Sequence, residues 1–301
     1  MIKPDKLNSI YVIILNYQSY QDTIKYVECL QKQENINLNI LIVDNCSPNK
    51  SFDILKKEFL EISNVDVIIS ERNGGYAYGN NFGLHYLEKK PADFVLISNN
   101  DIEITDTLLL SKMTQEYKKL ANPAFIAPVM YSNGFLSEYS AWRIPTLKDD
   151  IIESLRVTSF MFKSRIKYKI TDGDLNIMAV DCLPGSFFLS KKEIFYKIDL
   201  MDEKTFLYGE EVILAQKVKT LGLQNYLIKS LNYEHSNSQT ISKQVNKFKM
   251  REYLTESKMY YHQKYFGYSI LQTKILRILF QLWKVESILY EQIRKIVAQK
   301  N

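Results

Sequence analysis

Cysteine and histidine are scarce in this chain, which contains 3 residues of each among 301. The cysteines are Cys29, Cys46 and Cys182. They are not spaced in pairs, and together with the histidines they do not show the spacing of a metal-binding motif. This excludes a disulfide framework and a cysteine-rich metal site. We therefore expect a protein of a reducing compartment, the cytoplasm.

Long hydrophobic runs are also missing. No stretch has the roughly 18 uninterrupted apolar residues that span a bilayer, and the apolar run from Tyr11 to Leu15 lacks the cleavage site of a signal peptide. The hydrophobic content of 46% nevertheless supports a sizeable core and excludes overall disorder. We expect a soluble or peripheral protein with one large domain, or one domain and an appendage.

The main body of the chain has no net positive charge. The net charge of the chain is +5, but residues 243–301 carry 12 Lys/Arg against four Glu, so residues 1–242 carry −3. This argues against a nucleic-acid partner for the main body. It favours anionic membrane phospholipid as a partner of the last segment.

Apolar, β-branched runs alternate with helical patterns through the first third of the chain. Strands are predicted at "SIYVIILNY", "NILIVDN", "VDVIIS" and "DFVLIS", with a helix after each of the first three. Such alternation indicates an α/β fold with crossover connections and a mostly parallel, Rossmann-like central sheet flanked by helices. Ligands bind beyond the C-terminal ends of strands in such sheets. Polar residues stand at these ends, among them Asn16, Asp44, Asn45, Asn73 and Asn99 to Asp101.

The regular alternation of strand and helix patterns becomes weaker after Pro123. A helical stretch is predicted from Asp149 to about Arg165. A second ordered block predicts a strand at "MAVDCLPGSFFLSKKEIFYKI", a helix at "DEKTFLYGEEVILAQKVKTLG" and a strand at "NYLIKSLNYEHSNSQT". From about Lys243 the pattern is helical to the end.

Two stretches could bind a nucleotide, and each has a structural alternative. Asp44 could accept hydrogen bonds from a ribose or a base, or it could start a turn with Asn45. The glycines at positions 74, 75, 79 and 83 could let a diphosphate approach a helix start, or they could permit tight helix–sheet packing.

Three further positions could carry chemistry. In "SNND", Asp101 offers a hard oxygen ligand to Mg²⁺ or Mn²⁺ with Asn99 as a neutral helper, or the stretch is a polar turn. Glu210 and Glu211 point about 100 degrees apart on a helix, so one could face a cleft while the other caps, or both could complement the helix dipole. His235 could be a metal ligand or a hydrogen-bonded loop residue.

Taken in order, these motifs resemble inverting glycosyltransferases of family 2, which have the GT-A fold. The resemblance covers about Ser9 to Tyr265 and is closest to the rhamnosyltransferase-like branch. It rests on "ILNYQ", "LIVDNCS", "RNGGYAYGNNFG", "LISNND", "LPGSFFLSKKEIF", "DEKTFLYGEEV" and "EHSNS". By resemblance, Asp101 and His235 bind the divalent cation, and Glu211 is the general base beside Glu210. The positions implied to hold the nucleotide-sugar are Asn16, Asp44, Asn45, Asn73, Gly74, Gly75, Asn80, Asn99 and Gly185.

The resemblance implies a GT-A domain over residues 1–265, with a nucleotide-sugar half at about 9–105 and an acceptor half at 106–242. It implies transfer from a nucleotide-diphosphate donor, dTDP-rhamnose or a UDP-sugar, to a saccharide acceptor, lipid-linked for a bacterial surface polysaccharide. The sequence departs from the family pattern at the implied acceptor site, where Glu211 and Ile213 replace the usual Asp residues and Gln216 or Lys217 replaces a following Arg. A catalytically silent sugar-nucleotide binder and a nucleotide-dependent oxidoreductase are the alternatives.

Residues 266–301 form the predicted C-terminal helical extension, which is basic and amphipathic. From Leu271 to Ile296 apolar residues recur every three or four positions, and lysines and arginines fill much of the rest. Such a helix can lie in a membrane interface, or it can pack on the catalytic domain or on the partner in a homodimer.

Overall fold

The computed structural model describes residues 7–161, 166–170, 176–235 and 246–298, with side chains up to Gln292. Its strands are β1 (Ser9–Asn16), β2 (Asn37–Asp44), β3 (Val65–Ile69), β4 (Phe94–Asn99), β5 (Ile102–Glu103), β6 (Pro123–Ser132), β7 (Phe135–Leu136), β8 (Ile177–Val180), β9 (Phe187–Lys191) and β10 (Gln224–His235). They form one sheet in the order β3-β2-β1-β4-β9-β6-β10-β5, with β7 beside β6 and β8 beside β10.

Helices cover both faces of the sheet. They are α1 (Tyr20–Leu30), α2 (Ser51–Glu58), α3 (Tyr76–Leu87), α4 (Leu109–Lys119), α5 (Leu147–Ile152), α6 (Arg156–Met161), α7 (Lys192–Lys197), α8 (Glu210–Thr220), α9 (Lys247–Phe266) and α10 (Ile270–Ala298). Successive side chains of β1 enter opposite cores: Ile10 and Val12 belong to one apolar cluster, and Tyr11 and Ile13 to the other. The sheet is therefore buried on both faces, as parallel strands require.

The prediction of an α/β fold with helices flanking a central sheet is confirmed, and the sheet is mixed, with β5, β7, β8 and β9 antiparallel to their neighbours. Strands β1 to β4 pair in parallel, and so do β6 and β10, while β9 is antiparallel to β4 and β6. The pairing of β1 with β2 aligns Asn16 with Asp44, and its pairing with β4 aligns Leu15 with Asn99. Three strand ends thus meet at one edge of the sheet.

Strand β6 was not predicted from the sequence. Residues 124–130 are all buried, so this strand lacks the alternation of polar and apolar residues that marks a half-exposed strand. Pro123 and Pro128 also interrupt the pattern. The helical stretch predicted from Asp149 contains the two short helices α5 and α6, and residues 162–165 lie outside the described part.

The C-terminal region contains two helices rather than one. Gly267, with φ of 73°, ends α9 in the left-handed conformation, and α10 begins three residues later. None of the helices in the described part is long and apolar enough to cross a membrane.

Candidate active site

Asp44 lies buried at the end of β2 and is fully engaged by the protein. Its Oδ2 accepts a 2.7 Å hydrogen bond from Asn16 Nδ2, and its Oδ1 accepts one of 2.7 Å from the amide of Ser47. Asn16 is held in turn by the hydroxyl of Thr23, 2.9 Å from its Oδ1. The carboxylate therefore organises the turn after β2, and its contact with a nucleotide stays a prediction.

Asn45 fixes the loop that precedes α3. Its Nδ2 lies 3.1 Å from both Asn73 Oδ1 and the carbonyl of Gly75. Gly75 has φ of 89° and ψ of −171°, a region open only to glycine. A Cβ at this position would lie 2.1 Å from the carbonyl oxygen of Phe206. The loop is thus clamped between the end of β2 and the segment that leads into α8.

The glycines inside α3 permit close helix–sheet packing. A Cβ at Gly79 would lie 2.3 Å from the side chain of Leu15, and one at Gly83 would lie 2.9 Å from Ile13. Tight helix–sheet packing, the alternative to diphosphate binding, therefore explains both of these glycines.

Two other predicted donor-site residues lie beside them. Gly74 is pressed against Tyr78, since an added Cβ would lie 2.4 Å from its ring. Asn80 donates from Nδ2 to the carbonyl of Tyr76 at 3.0 Å, and its buried Oδ1 has no partner among the described residues. Such an oxygen is available to a donor group on a ligand.

Asp101 and His235 meet although 134 positions separate them in the sequence. Strand β5 pairs with β10 so that His235 lies opposite Ile102, and His235 Nε2 is 3.1 Å from Asp101 Oδ1. The other carboxylate oxygen, Oδ2, is buried without a partner among the described residues. An oxygen and an imidazole nitrogen suit a divalent cation. No group of three or more His, Cys, Asp or Glu that could hold a metal ion occurs in the described ranges, so these two residues are a partial ligand set.

The two asparagines before Asp101 hold the end of β4 in place, Asn99 through its backbone and Asn100 through its side chain. The backbone N–H of Asn99 donates to the carbonyl of Ser186 at 2.8 Å, and a contact of the Asn99 side chain with the nucleotide-sugar stays a prediction. Asn100 Nδ2 donates to Ser19 Oγ at 2.7 Å and to Thr23 Oγ1 at 2.9 Å. Since Thr23 also holds Asn16, hydrogen bonds connect the ends of β4 and β1.

The acid pair begins α8 after a sharp backbone turn. Tyr208 has φ of 71° and Gly209 has φ of 88°. A positive φ is uncommon for a bulky residue such as Tyr208. Glu210 is only 4% exposed, and its Oε1 has no partner among the described residues. Burial raises the pKa of Glu210 to about 8, and the charge of Glu211 adds to the rise. Burial also raises the pKa of Glu211, although the backbone N–H groups of Gly185 and Gly209 oppose the rise.

Glu211 faces a cavity and Glu210 does not line it. The cavity has a volume of about 1030 Å³, and Tyr208 and Glu211 form part of its wall. Aromatic side chains, among them Trp142 and Tyr168, line it as well. Aromatic faces can stack on sugar rings, so this space is suited to a saccharide.

A buried charge cluster on another wall of this cavity was missed from the sequence. Asp150 is 1% exposed and lies 2.5 Å from Lys258 Nζ and 2.8 Å from His262 Nε2, and the hydroxyl of Tyr261 also donates to it. Burial opposes ionisation, but the charge of Lys258 and these hydrogen bonds hold the pKa of Asp150 below its usual range. No local motif marks the cluster, because it joins α5 to α9 across more than 100 positions.

Gly185 and Ser186 connect the acid pair with the metal-binding candidates. A Cβ at Gly185 would lie 3.1 Å from Glu211 Oε1, and the hydroxyl of Tyr76 donates to the Gly185 carbonyl. The next carbonyl, that of Ser186, accepts from Asn99, two residues before Asp101. Tyr76 was not predicted as a site residue, because the sequence does not reveal that α3 reaches this dipeptide.

Comparison with known proteins identifies the family. The model of "Glycosyl transferase family 2" matches residues 11–198. The rhamnosyltransferase WbbL of Escherichia coli K12 is 25% identical over 235 residues, covering 75% of this chain and 83% of WbbL. The dTDP-rhamnosyl transferase RfbF of Shigella flexneri is 22% identical over 232 residues, covering 76% and 69%.

A solved structure shows the same fold. The mannosyltransferase PcManGT of Pyrobaculum calidifontis, in complex with GDP-Man and Mn²⁺, aligns with a TM-score of 0.59 at 11% identity. The alignment covers 90% of this chain and 70% of PcManGT. The match to the family model shows that the oxidoreductase alternative is wrong. The chain belongs to glycosyl transferase family 2 and has the GT-A fold.

Proposed function

We propose that this chain transfers a hexose from a nucleotide-diphosphate donor to a hydroxyl group of a saccharide acceptor, with inversion at the anomeric carbon. The names of the rhamnosyltransferase relatives favour dTDP-rhamnose as the donor, and a UDP-sugar is the second choice. The acceptor in this proposal is lipid-linked, and the product belongs to a bacterial surface polysaccharide.

The contacts of Gly185 and Ser186 carry the proposal. They join a carboxylate that faces a saccharide-sized cavity to a strand end that presents a second carboxylate and an imidazole. A sugar bound above this dipeptide would have the acceptor on the Glu211 side and the diphosphate on the Asp101 side. Such an arrangement suits an in-line displacement.

The bonds change in a single step. Glu211 takes the proton of the acceptor hydroxyl, whose oxygen forms a bond to the anomeric carbon while the bond from that carbon to the diphosphate oxygen breaks. The raised pKa of Glu211 makes it a stronger base than an ordinary carboxylate. Attack from the face opposite the diphosphate inverts the configuration.

Asp101 and His235 would hold the divalent cation, Mg²⁺ or Mn²⁺. When bound, such a cation compensates the negative charge that develops on the departing diphosphate. The buried, unpartnered Oδ2 of Asp101 supports this assignment, because a buried carboxylate oxygen without a partner is costly unless a cation or a donor meets it.

Glu211→Gln tests the proposal by separating transfer from donor binding. We expect loss of transfer by a factor of about 10² to 10⁴, with thermal stabilisation by the nucleotide-sugar and Mn²⁺ unchanged. Glu58→Gln, an exposed glutamate at the end of α2, is the matched control and should retain both activities. Transfer at the wild-type rate by Glu211→Gln would show that another residue is the base.

The catalytically silent alternative predicts a different result. Its support is Ile213, which is buried in an apolar cluster where the family usually has a third acid. A wild-type protein that binds donor and Mn²⁺ but transfers no sugar to any saccharide acceptor would favour this alternative.

A further inference from the structure

Helix α10 has apolar side chains on two opposite faces. Leu276 and Phe280 are buried and lie on the face that packs toward α5 and α9. On the opposite face, six apolar residues recur with spacings of three and four: Leu271, Ile275, Ile278, Leu282, Val285 and Leu289. Five of them are exposed, Leu271 at 78%, and Ile275 is half-buried. At 1.5 Å per residue this stripe is about 27 Å long. It points away from the catalytic domain.

Helix α6 adds a second apolar surface next to this stripe. The carboxylate of Glu286 on α10 accepts from the amides of Arg156 and Val157 at 3.0 and 3.1 Å, which fixes the start of α6 beside α10. The guanidinium of Arg156 also lies 4.6 Å from the ring centre of Tyr290. Phe160, at 88% exposure, is the most exposed apolar residue of α6.

Charge favours a bilayer over a second copy of the chain as the occupant of this surface. Residues 243–301, which include α9 and α10, carry a net charge of +8, and the exposed Lys274 and Arg277 flank the stripe, with Arg277 in an ion pair with Glu256. A second copy would bring the same charges together, whereas anionic headgroups would compensate them. The apolar residues of α6 also widen the surface beyond the narrow seam of a coiled coil.

We infer that the exposed apolar residues of α6 and α10, together with the flanking cations, form a docking surface for an anionic lipid bilayer. Ser159 of α6 lines the cavity that contains Glu211, while its neighbour Phe160 is exposed on the docking surface. Docking would therefore place the cavity close to the membrane. This placement rests on the proposed function, since it brings a lipid-linked acceptor to Glu211.

Vesicle cosedimentation tests the docking without any sugar transfer. The probe is vesicles of equimolar phosphatidylcholine and phosphatidylglycerol, compared with vesicles of phosphatidylcholine alone. The double variant Phe160→Ser/Leu282→Ser removes one apolar side chain from each helix. The matched control is Phe135→Ser/Leu60→Ser, two side chains of 78% and 69% exposure outside α6 and α10.

We expect the wild type and the control to bind the anionic vesicles. The docking variant should show a bound-to-free ratio lower by about tenfold or more, and the neutral vesicles should bind the wild type weakly. Wild-type binding by the docking variant would overturn the inference. The inference would also be overturned if size-exclusion chromatography showed a dimer for the wild type and a monomer for the docking variant, because a second copy of the chain would then cover the surface. No nucleotide-sugar enters the assay, so failure of the proposed function would leave its result unchanged.

Discussion

Replacing Glu210 by glutamine should remove a pH-dependent loss of folding stability. The pKa of this carboxyl rises from 4.5 in the unfolded chain to about 8 in the folded protein. The folded state therefore holds the proton more tightly. The stabilisation from the protonated acid is complete below pH 4.5, falls as pH rises and is lost above about 8.

The magnitude follows from the same two values. One pKa unit corresponds to about 1.4 kcal/mol, so the wild type loses about 3 kcal/mol of unfolding free energy between pH 4.5 and pH 7 through this group. Glutamine cannot ionise and lacks this loss. The free energy of unfolding of the variant, relative to the wild type, should therefore increase by about 3 kcal/mol over that interval.

Urea denaturation at a series of pH values measures this difference directly. Glu58→Gln, at an exposed position, should change stability by less than about 0.5 kcal/mol throughout the series. Parallel pH profiles for the wild type and Glu210→Gln would refute the reasoning, since they would mean that the folded protein leaves Glu210 in an environment like that of the unfolded chain.

Two further substitutions test other parts of the site. Asp101→Asn, which keeps the shape and removes the charge, should abolish the Mn²⁺-dependent part of donor binding in calorimetry; an undiminished metal dependence would place the cation elsewhere. Gly75→Ala should cost more than about 2 kcal/mol in urea denaturation, because strain adds to the clash with the Phe206 carbonyl. The control Gly222→Ala, at φ of 66° with open space around it, should cost only about 1 kcal/mol, the strain of an L-residue in the left-handed conformation. Equal costs would contradict the clash.

Local sequence patterns were sufficient to predict the strands and helices that have a distinct hydrophobic periodicity. Strands β1 to β4 and the helices between them follow the alternation in the sequence, and the strand ends carry the predicted polar residues. Strand β6 escaped prediction because its burial on both faces erases the alternation. The predicted start of the C-terminal extension at residue 266 lies next to Gly267, but the division of the C-terminal region into two helices at this glycine was not predicted.

The sequence by itself determined the α/β class, the family and the candidate residues, because hydrophobic period and motif order are local properties of the chain. Only the tertiary structure decided which of these residues meet. Pairing of β5 with β10 brings His235 to Asp101, and the packing of α8 turns Glu211 to the cavity while Glu210 is buried. The cluster at Asp150 arises in the same way, from α5 against α9. Such contacts depend on how distant elements pack, which neither composition nor spacing along the chain specifies.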